Sequence, residues 1–245
     1  MSGLWSAIAF LTRLPAPASD VRLDTAVAWF PLVGLLLGGI LAFVDIGLRL
    51  ISVSPLVGSA LLVTLLLVLT GALHADGLID TCDAIFGHAT PERRLEIMRD
   101  PRTGAFGVVG LVCVVLLKVA SIEALPVATR ALSLLLAPTL GRWTIVVLAA
   151  TFPYGRPSGL GLPLKQGATP PTLALASIVP LALCALVWPG GPLLTVLALC
   201  VALGLGRWLM SMLPGLTGDC YGAVCEVVET VVWLAAAPLS RAIGG

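Results

Sequence analysis

The sequence predicts an all-α protein, a polytopic bundle of membrane-spanning helices, and three observations carry that prediction. Of its 245 residues, 58% are hydrophobic and only 11% are charged, whereas soluble domains are about a quarter charged. Mean hydropathy is +1.06. Apolar stretches of the roughly 20 residues a helix needs to cross a bilayer recur seven times along the chain. Water cannot satisfy backbone groups inside a bilayer, so such stretches must be helical. A formal net charge of +1 excludes a basic nucleic-acid binder and a strongly charged tail.

The elements follow in order. Residues 1–26 read as a short membrane-inserted or interfacial segment. Its apolar part, LWSAIAFLTRLPAP, has no basic residue before it and no cleavage site, so no signal peptide is expected. Seven spans are predicted near 27–50, 55–75, 105–125, 131–152, 172–189, 192–213 and 222–239. Between the second and third, Thr90-Pro91-Glu92 has the pattern of an N-cap followed by proline at the first helical position. A short amphipathic helix, PERRLEIMRD, is expected to run from there to Asp100, with Pro101 stopping it. The tetrapeptide LGRW occurs at 140–143 and again at 205–208, a faint echo of the kind repeat-built membrane folds contain. Cys82, Cys113, Cys184, Cys200, Cys220 and Cys225 are scattered and none forms a CxxC pair. They read as small apolar packing residues, without a zinc site or a disulfide framework. No linker or low-complexity tract divides the chain, so 1–245 is read as one integral domain.

With residues 76–104 on the cytoplasmic side, eight basic residues lie inside (Arg13, Arg22, Arg93, Arg94, Arg99, Arg102, Arg156 and Lys165) and three outside (Arg49, Arg130 and Arg241). The excess of inside charge predicts a cytoplasmic N-terminus. The 214–221 loop then shares that face.

The chemistry is expected where charge is most concentrated. HADGLIDTCD, residues 74–83, places Asp76, Asp80 and Asp83 within eight positions. At about 100° per residue their side chains project within an arc of about 60°, and His74 points away. Carboxylates that close stay ionised together only around a cation. A hard divalent ion with oxygen ligands, Mg²⁺ or Mn²⁺, suits them. Downstream, Arg93, Arg94, Arg99 and Arg102 are candidates for binding phosphate, with Glu96 and Asp100 among them. The RTGAFG turn, with Gly104, opens the next helix and can offer free N–H groups to an anion. A second cluster, GLTGDCYGAVCEVVE, brings Asp219, Glu226 and Glu229. They are candidates for a second cation or for a polar substrate. Arg142 and Arg207 are expected to be buried, either paired with these acids or reaching a pyrophosphate. Lys118 and Glu123 also lie deep in a span, and their spacing of five does not form an i,i+4 pair.

The motifs, taken together and in order, resemble the cobalamin synthase family, the adenosylcobinamide-GDP ribazoletransferases. FLTRLP (10–15), AWFPLVGLLLG (28–38), HADGLIDTCDAIFG (74–87), ERRLEIMRDPRTGAFG (92–107), YGRPSGLG (154–161) and TGDCYGA (217–223) carry the resemblance over most of the chain. Ala84 stands where the family usually has Gly, and Pro101 where Ser is common. The resemblance implies a multi-pass enzyme of the bacterial inner membrane with a cytoplasmic active site. It also implies a reaction. The ribose 3′-hydroxyl of α-ribazole, or of its 5′-phosphate, attacks the corrinoid-proximal phosphorus of adenosylcobinamide-GDP, and GMP leaves. In that setting a metal on Asp76 and Asp80 bridges the pyrophosphate, and Asp83 either completes the metal site or takes the hydroxyl proton. Asp219 and Glu226 serve a second metal or substrate hydroxyls. Partners are the two substrates and the bilayer, with no nucleic acid; a homo-oligomer or a complex with other corrinoid enzymes stays open. Two other classes of membrane protein carry acids of this kind. A CDP-alcohol phosphotransferase would carry an AR-x8-G-x3-D-x3-D continuation that is missing here. An ion-coupled transporter would place its acids near mid-bilayer.

Overall fold

The computed structural model describes residues 2–17, 20–87 and 89–244. Among them, the only strand-like pairing is a single bridge between Tyr154 and Leu216. Helix α1 (Ser2–Leu11) precedes α2 (Leu23–Ala26), which passes through one 3-10 turn into α3 (Phe30–Leu50). Then come α4 (Pro55–Thr70), α5 (Leu73–Phe86), α6 (Pro91–Ile97), α7 (Ala105–Glu123) and α8 (Val127–Thr151). The chain ends with α9 (Gly161–Gly167), α10 (Pro170–Val187), α11 (Gly191–Met210) and α12 (Gly218–Gly244). Among the described residues, five helices are long and apolar enough to cross a membrane, and up to seven crossings result if two bent pairs each count once.

One of the bends corrects an expected span. The stretch predicted as one helix over 55–75 ends at Thr70, and α5 leaves α4 at 92°. Gly71 and Ala72 both take left-handed backbone, with φ of 58° and 57°. Glycine there closes a helix cheaply, whereas alanine does so only under steric cost. The other bend sets α9 at 93° to α10, which forms the span expected near 172–189. The amphipathic helix forms as expected from Thr90, whose hydroxyl accepts the Arg93 N–H at 3.4 Å. It ends at Ile97, short of the predicted Asp100, because Arg99 and Asp100 N–H groups turn back to Glu96 and Ile97.

Helix α8 is the hub, buried almost continuously from Ser133 to Ala149. It lies against α3 through Gly34 and Gly38; a Cβ on Gly34 would stand 2.8 Å from the Thr139 Cα. Small residues let membrane helices approach this closely, where dispersion rather than the hydrophobic effect holds them. On its other side α12 anchors through Trp233, whose indole N–H donates to the Ser133 carbonyl at 3.0 Å.

Buried charges are all tied across helices. Lys118 of α7 contacts Glu226 at 2.6 Å and Glu229 at 2.5 Å on α12, and it lies 5.5 Å from the centre of the Trp233 ring. Arg142 of α8 pairs with Glu229. Toward the other end, Arg130 pairs with Asp45 at 2.8 Å and donates to Ser59 at 3.2 Å. An unpaired charge inside a bilayer is costly, which explains why each is neutralised. The partners of Lys118 are therefore more than a hundred residues away, outside the reach of any helical spacing rule. Arg207 departs from expectation: it is exposed at the end of α11, whereas Arg142 is fully buried. The two LGRW copies thus sit in different environments.

Candidate active site

The site forms where α5 crosses the start of α12. A Cβ on Gly77 would stand 2.8 Å from the Asp219 carbonyl oxygen, so the two backbones touch. One turn earlier, His74 is buried on the same contact, its Nδ1 3.6 Å from Cys225 Sγ. The crossing carries Asp76, Asp80 and Asp219 to one place. Asp76 is exposed, while Asp80 is half-buried. The Asp80 carboxyl is pushed up to about 7, first by burial and then by the charges of Asp76, Asp219 and Asp83, with Arg156 opposing.

Arg156 was not singled out as a site residue from the sequence, where it counted only toward topology. Its guanidinium lies 3.0 Å from Asp219, and Thr217 donates to the same carboxylate oxygen at 3.2 Å. The loop bearing Arg156 is pinned to the 213–217 turn. Gly155 N–H donates to the Leu216 carbonyl at 2.8 Å, and Leu216 N–H to that of Pro153 at 2.9 Å. Gly155 and Gly215 meet backbone to backbone, which leaves no room for a side chain on either. The signal in the sequence was that Arg156 is the only charged residue of YGRPSGLG.

Asp83 takes a different part from either role expected of it. One carboxylate oxygen accepts the Gly104 N–H at 2.7 Å and the other the Gly107 N–H at 2.8 Å. The RTGAFG turn does hold an anion at a helix N-terminus, as its sequence predicted, but the anion is the chain's own Asp83 rather than a phosphate. With both oxygens so engaged, Asp83 braces α7 against α5.

Glu226 and Glu229 do not join the aspartates. They are committed to Lys118 and Arg142 inside the bundle, which removes Glu226 from the expected metal ligands. Among the described residues, no three His, Cys, Asp or Glu side chains are arranged to hold a metal ion. The arginines divide as well. Arg93 pairs with Glu96 at 2.6 Å and Arg102 with Asp100 at 2.6 Å, both at the surface. The Arg102 side chain and N–H together hold the Asp100 carboxyl down to about 2. Arg94 donates to the Met212 carbonyl at 3.1 Å, tying α6 to the turn before α12. Arg99 is exposed.

Two spaces meet at Asp76. One is a cavity of about 180 Å³, walled partly by Phe10, Phe30 and Tyr221 and reaching Asp219. The other is a more open cleft of about 640 Å³ that includes Arg13 and Thr70. Of the three acids, Asp76 borders both spaces.

Residues 3–237 match the family model described as cobalamin-5-phosphate synthase. The chain belongs to that family. Among curated relatives, adenosylcobinamide-GDP ribazoletransferase of Desulforamulus reducens is 40% identical over 237 residues, covering 94% of each chain. The protein of the same name from Roseiflexus sp. is 41% identical over 92% of this chain and 85% of its own. That from Desulfitobacterium hafniense is 36% identical over 98% of both. No solved structure matches the chain.

Proposed function

We propose that this membrane enzyme joins α-ribazole, or its 5′-phosphate, to adenosylcobinamide-GDP and releases GMP. The ribose 3′-oxygen forms a bond to the corrinoid-proximal phosphorus, and the bond from that phosphorus to the bridging oxygen breaks. GMP carries that oxygen away. The observation that carries the reading is the cluster of Asp76, Asp80 and Asp219, with Asp76 bordering both a cavity and a wider cleft, in a chain of this family.

The residues present fit Mg²⁺, or Mn²⁺ in its place. Mg²⁺ is commonly held by one or two carboxylates together with substrate phosphate oxygens, so a closed cage of three acids is not required. Asp76 and Asp219 would hold it. When bound, the ion supplies charge that neutralises the diphosphate oxygens. Asp80 takes the proton of the attacking hydroxyl on a carboxylate oxygen. Arg156, beside Asp219, and Arg13, in the open cleft, contact diphosphate oxygens through their guanidinium groups. Arg99 stands at the same face. Arg93 and Arg102 are held only by exposed pairs, which are weak, and can turn toward substrate. Asp83 keeps the α5–α7 corner in register through Gly104 and Gly107.

The positive-charge bias supports a cytoplasmic N-terminus and site in the bacterial inner membrane. The transporter reading draws no support from Glu226 and Glu229, which lie in an unbroken helix and are neutralised by Lys118 and Arg142.

The test is purified protein in nanodiscs supplied with adenosylcobinamide-GDP and α-ribazole 5′-phosphate. GMP and the joined corrinoid are expected in equal amounts, and omission of either substrate is expected to stop both. GMP release that ignores the nucleoside would point to simple hydrolysis and defeat the proposal.

A further inference from the structure

Resting on the transfer reaction proposed above, we infer that Gly71 is a positioning residue for phosphate recognition. Its bare backbone gives the Arg13 guanidinium a seat at the wall of the wider cleft, where the guanidinium grips phosphate oxygens.

Arg13 follows α1, and the chain there is tied down. Its N–H donates to the Leu69 carbonyl at 2.7 Å, one of the last carbonyls of α4, which have no partner inside their own helix. The Thr12 hydroxyl donates to the Ile8 carbonyl at 2.8 Å and accepts the Leu14 N–H at 3.1 Å. The Arg13 backbone is thereby fixed against the bend between α4 and α5.

The tip of the side chain lies over that bend. A Cβ on Gly71 would collide with Arg13 Nε and stand 2.8 Å from its Cζ, and real Cβ contacts essentially never fall below 3.0 Å. The guanidinium thus fills the space that a side chain at 71 would take. Left-handed backbone alone does not demand glycine in this turn, because Ala72 adopts the same conformation with its Cβ in place. The contact with Arg13 does demand it. An arginine that served only membrane topology would need no glycine beneath its tip.

Arg13, Gly71 and Asp76 all line the cleft of about 640 Å³. Among the described residues, Arg13 is the one cation on its walls and Asp76 the one acid. Arg13 is exposed and takes part in none of the ion pairs among the described residues. Its planar fork of N–H donors is therefore free for an anion, and phosphate oxygens match that fork two at a time. The donor's diphosphate is the group assigned to it above. The 5′-phosphate of the acceptor presents the same oxygens, and kinetics separate the two.

The test is a double-mutant cycle on the full chain in nanodiscs. Gly71→Ala displaces the guanidinium. KM for adenosylcobinamide-GDP is expected to rise about 10- to 100-fold, the range for losing one charge-assisted hydrogen bond. Arg13→Ala is expected to do the same. Adding Gly71→Ala to Arg13→Ala is expected to raise KM no further, because the glycine acts through the arginine. Should Gly71→Ala fail to fold, Gly71→Asn replaces it, since asparagine enters left-handed backbone more readily and still brings a Cβ. A rise in KM for α-ribazole 5′-phosphate instead of the donor would assign the phosphate to the acceptor and leave the role of Gly71 standing. An equal rise from Gly71→Ala with and without Arg13 would mean that the backbone, not the guanidinium, is at work, and would overturn the inference. So would an unchanged KM for both substrates. Calorimetry with inorganic pyrophosphate and Mg²⁺ covers failure of the reaction itself. If nothing turns over but pyrophosphate binds wild type and is weakened by either single variant, the reaction is wrong and the positioning role stands. Pyrophosphate that ignores both substitutions, or does not bind wild type, would then overturn it.

Discussion

Asp83→Asn separates a brace from a metal ligand. In the structure the carboxylate accepts two N–H groups, from Gly104 at 2.7 Å and Gly107 at 2.8 Å. Hydrogen bonds to a charged group contribute about 1.5–3 kcal/mol each, and a negative charge at a helix N-terminus adds about 0.3–1 kcal/mol. Asparagine offers one oxygen; its NH₂ must face the other N–H. One charge-assisted bond is lost and the second becomes neutral. The expected destabilisation is about 2–4 kcal/mol, the sum of one lost bond and one weakened one. For a chain of this size that is a fall in melting temperature of about 4–16 °C. The assay is tryptophan-fluorescence melting of the purified protein in detergent with EDTA present. If Asp83 acted instead through a cation, the amide would relieve repulsion among the aspartates when no cation is bound. The melting temperature in EDTA would then hold or rise, and the half-saturating Mg²⁺ concentration for turnover would climb. That pair of results would refute the brace.

Other outcomes follow from the same geometry. Lys118→Met strands Glu226 in the bundle while Glu229 keeps Arg142, and breaking a buried pair on one side costs about 3–5 kcal/mol; melting or yield of folded protein reads it, and adding Glu226→Gln is expected to recover part of the loss. Arg156→Lys keeps the charge beside Asp219 but loses the planar fork, so kcat/KM for the GDP-bearing substrate is expected to drop with folding intact; an unchanged value would make Arg156 purely structural. Asp80 makes stability depend on pH. Its carboxyl, raised to about 7 in the folded chain, binds a proton there that the unfolded chain has already released, so its contribution is full below the usual carboxylate range and lost as pH rises through about 7. In EDTA the melting temperature of wild type is expected to fall across that window more steeply than that of Asp80→Asn, and equal slopes would contradict the clustering.

Much of the fold was legible because bilayer thickness imposes length and polarity on each crossing. Span positions near 27–50, 105–125, 131–152 and 192–213 needed only that constraint. The breaks at Gly71–Ala72 and between α9 and α10 were not legible, since left-handed backbone at Ala72 leaves no mark in hydropathy. The site was read in part. HADGLIDTCD announced acids on a helix at a membrane edge, because period and charge are local properties. What each acid faces is not local. Asp83 meets glycines on α7, Glu226 meets Lys118 across the bundle, and Arg156 reaches Asp219 only because two glycines let loops touch. Arg207 misled because a basic residue near a span end can be buried or exposed with the same neighbours in sequence.

The account stands most directly on the initial rate of GMP release against free Mg²⁺ concentration, for wild type and for Asp76→Asn. A saturable rise from near zero is expected in wild type, abolished by EDTA and restored by Mg²⁺ or Mn²⁺. The Asp76 variant is expected to need far more Mg²⁺ for the same rate. Full turnover in EDTA, or identical titrations for both proteins, would contradict the claim that these acids bind the ion that activates the diphosphate.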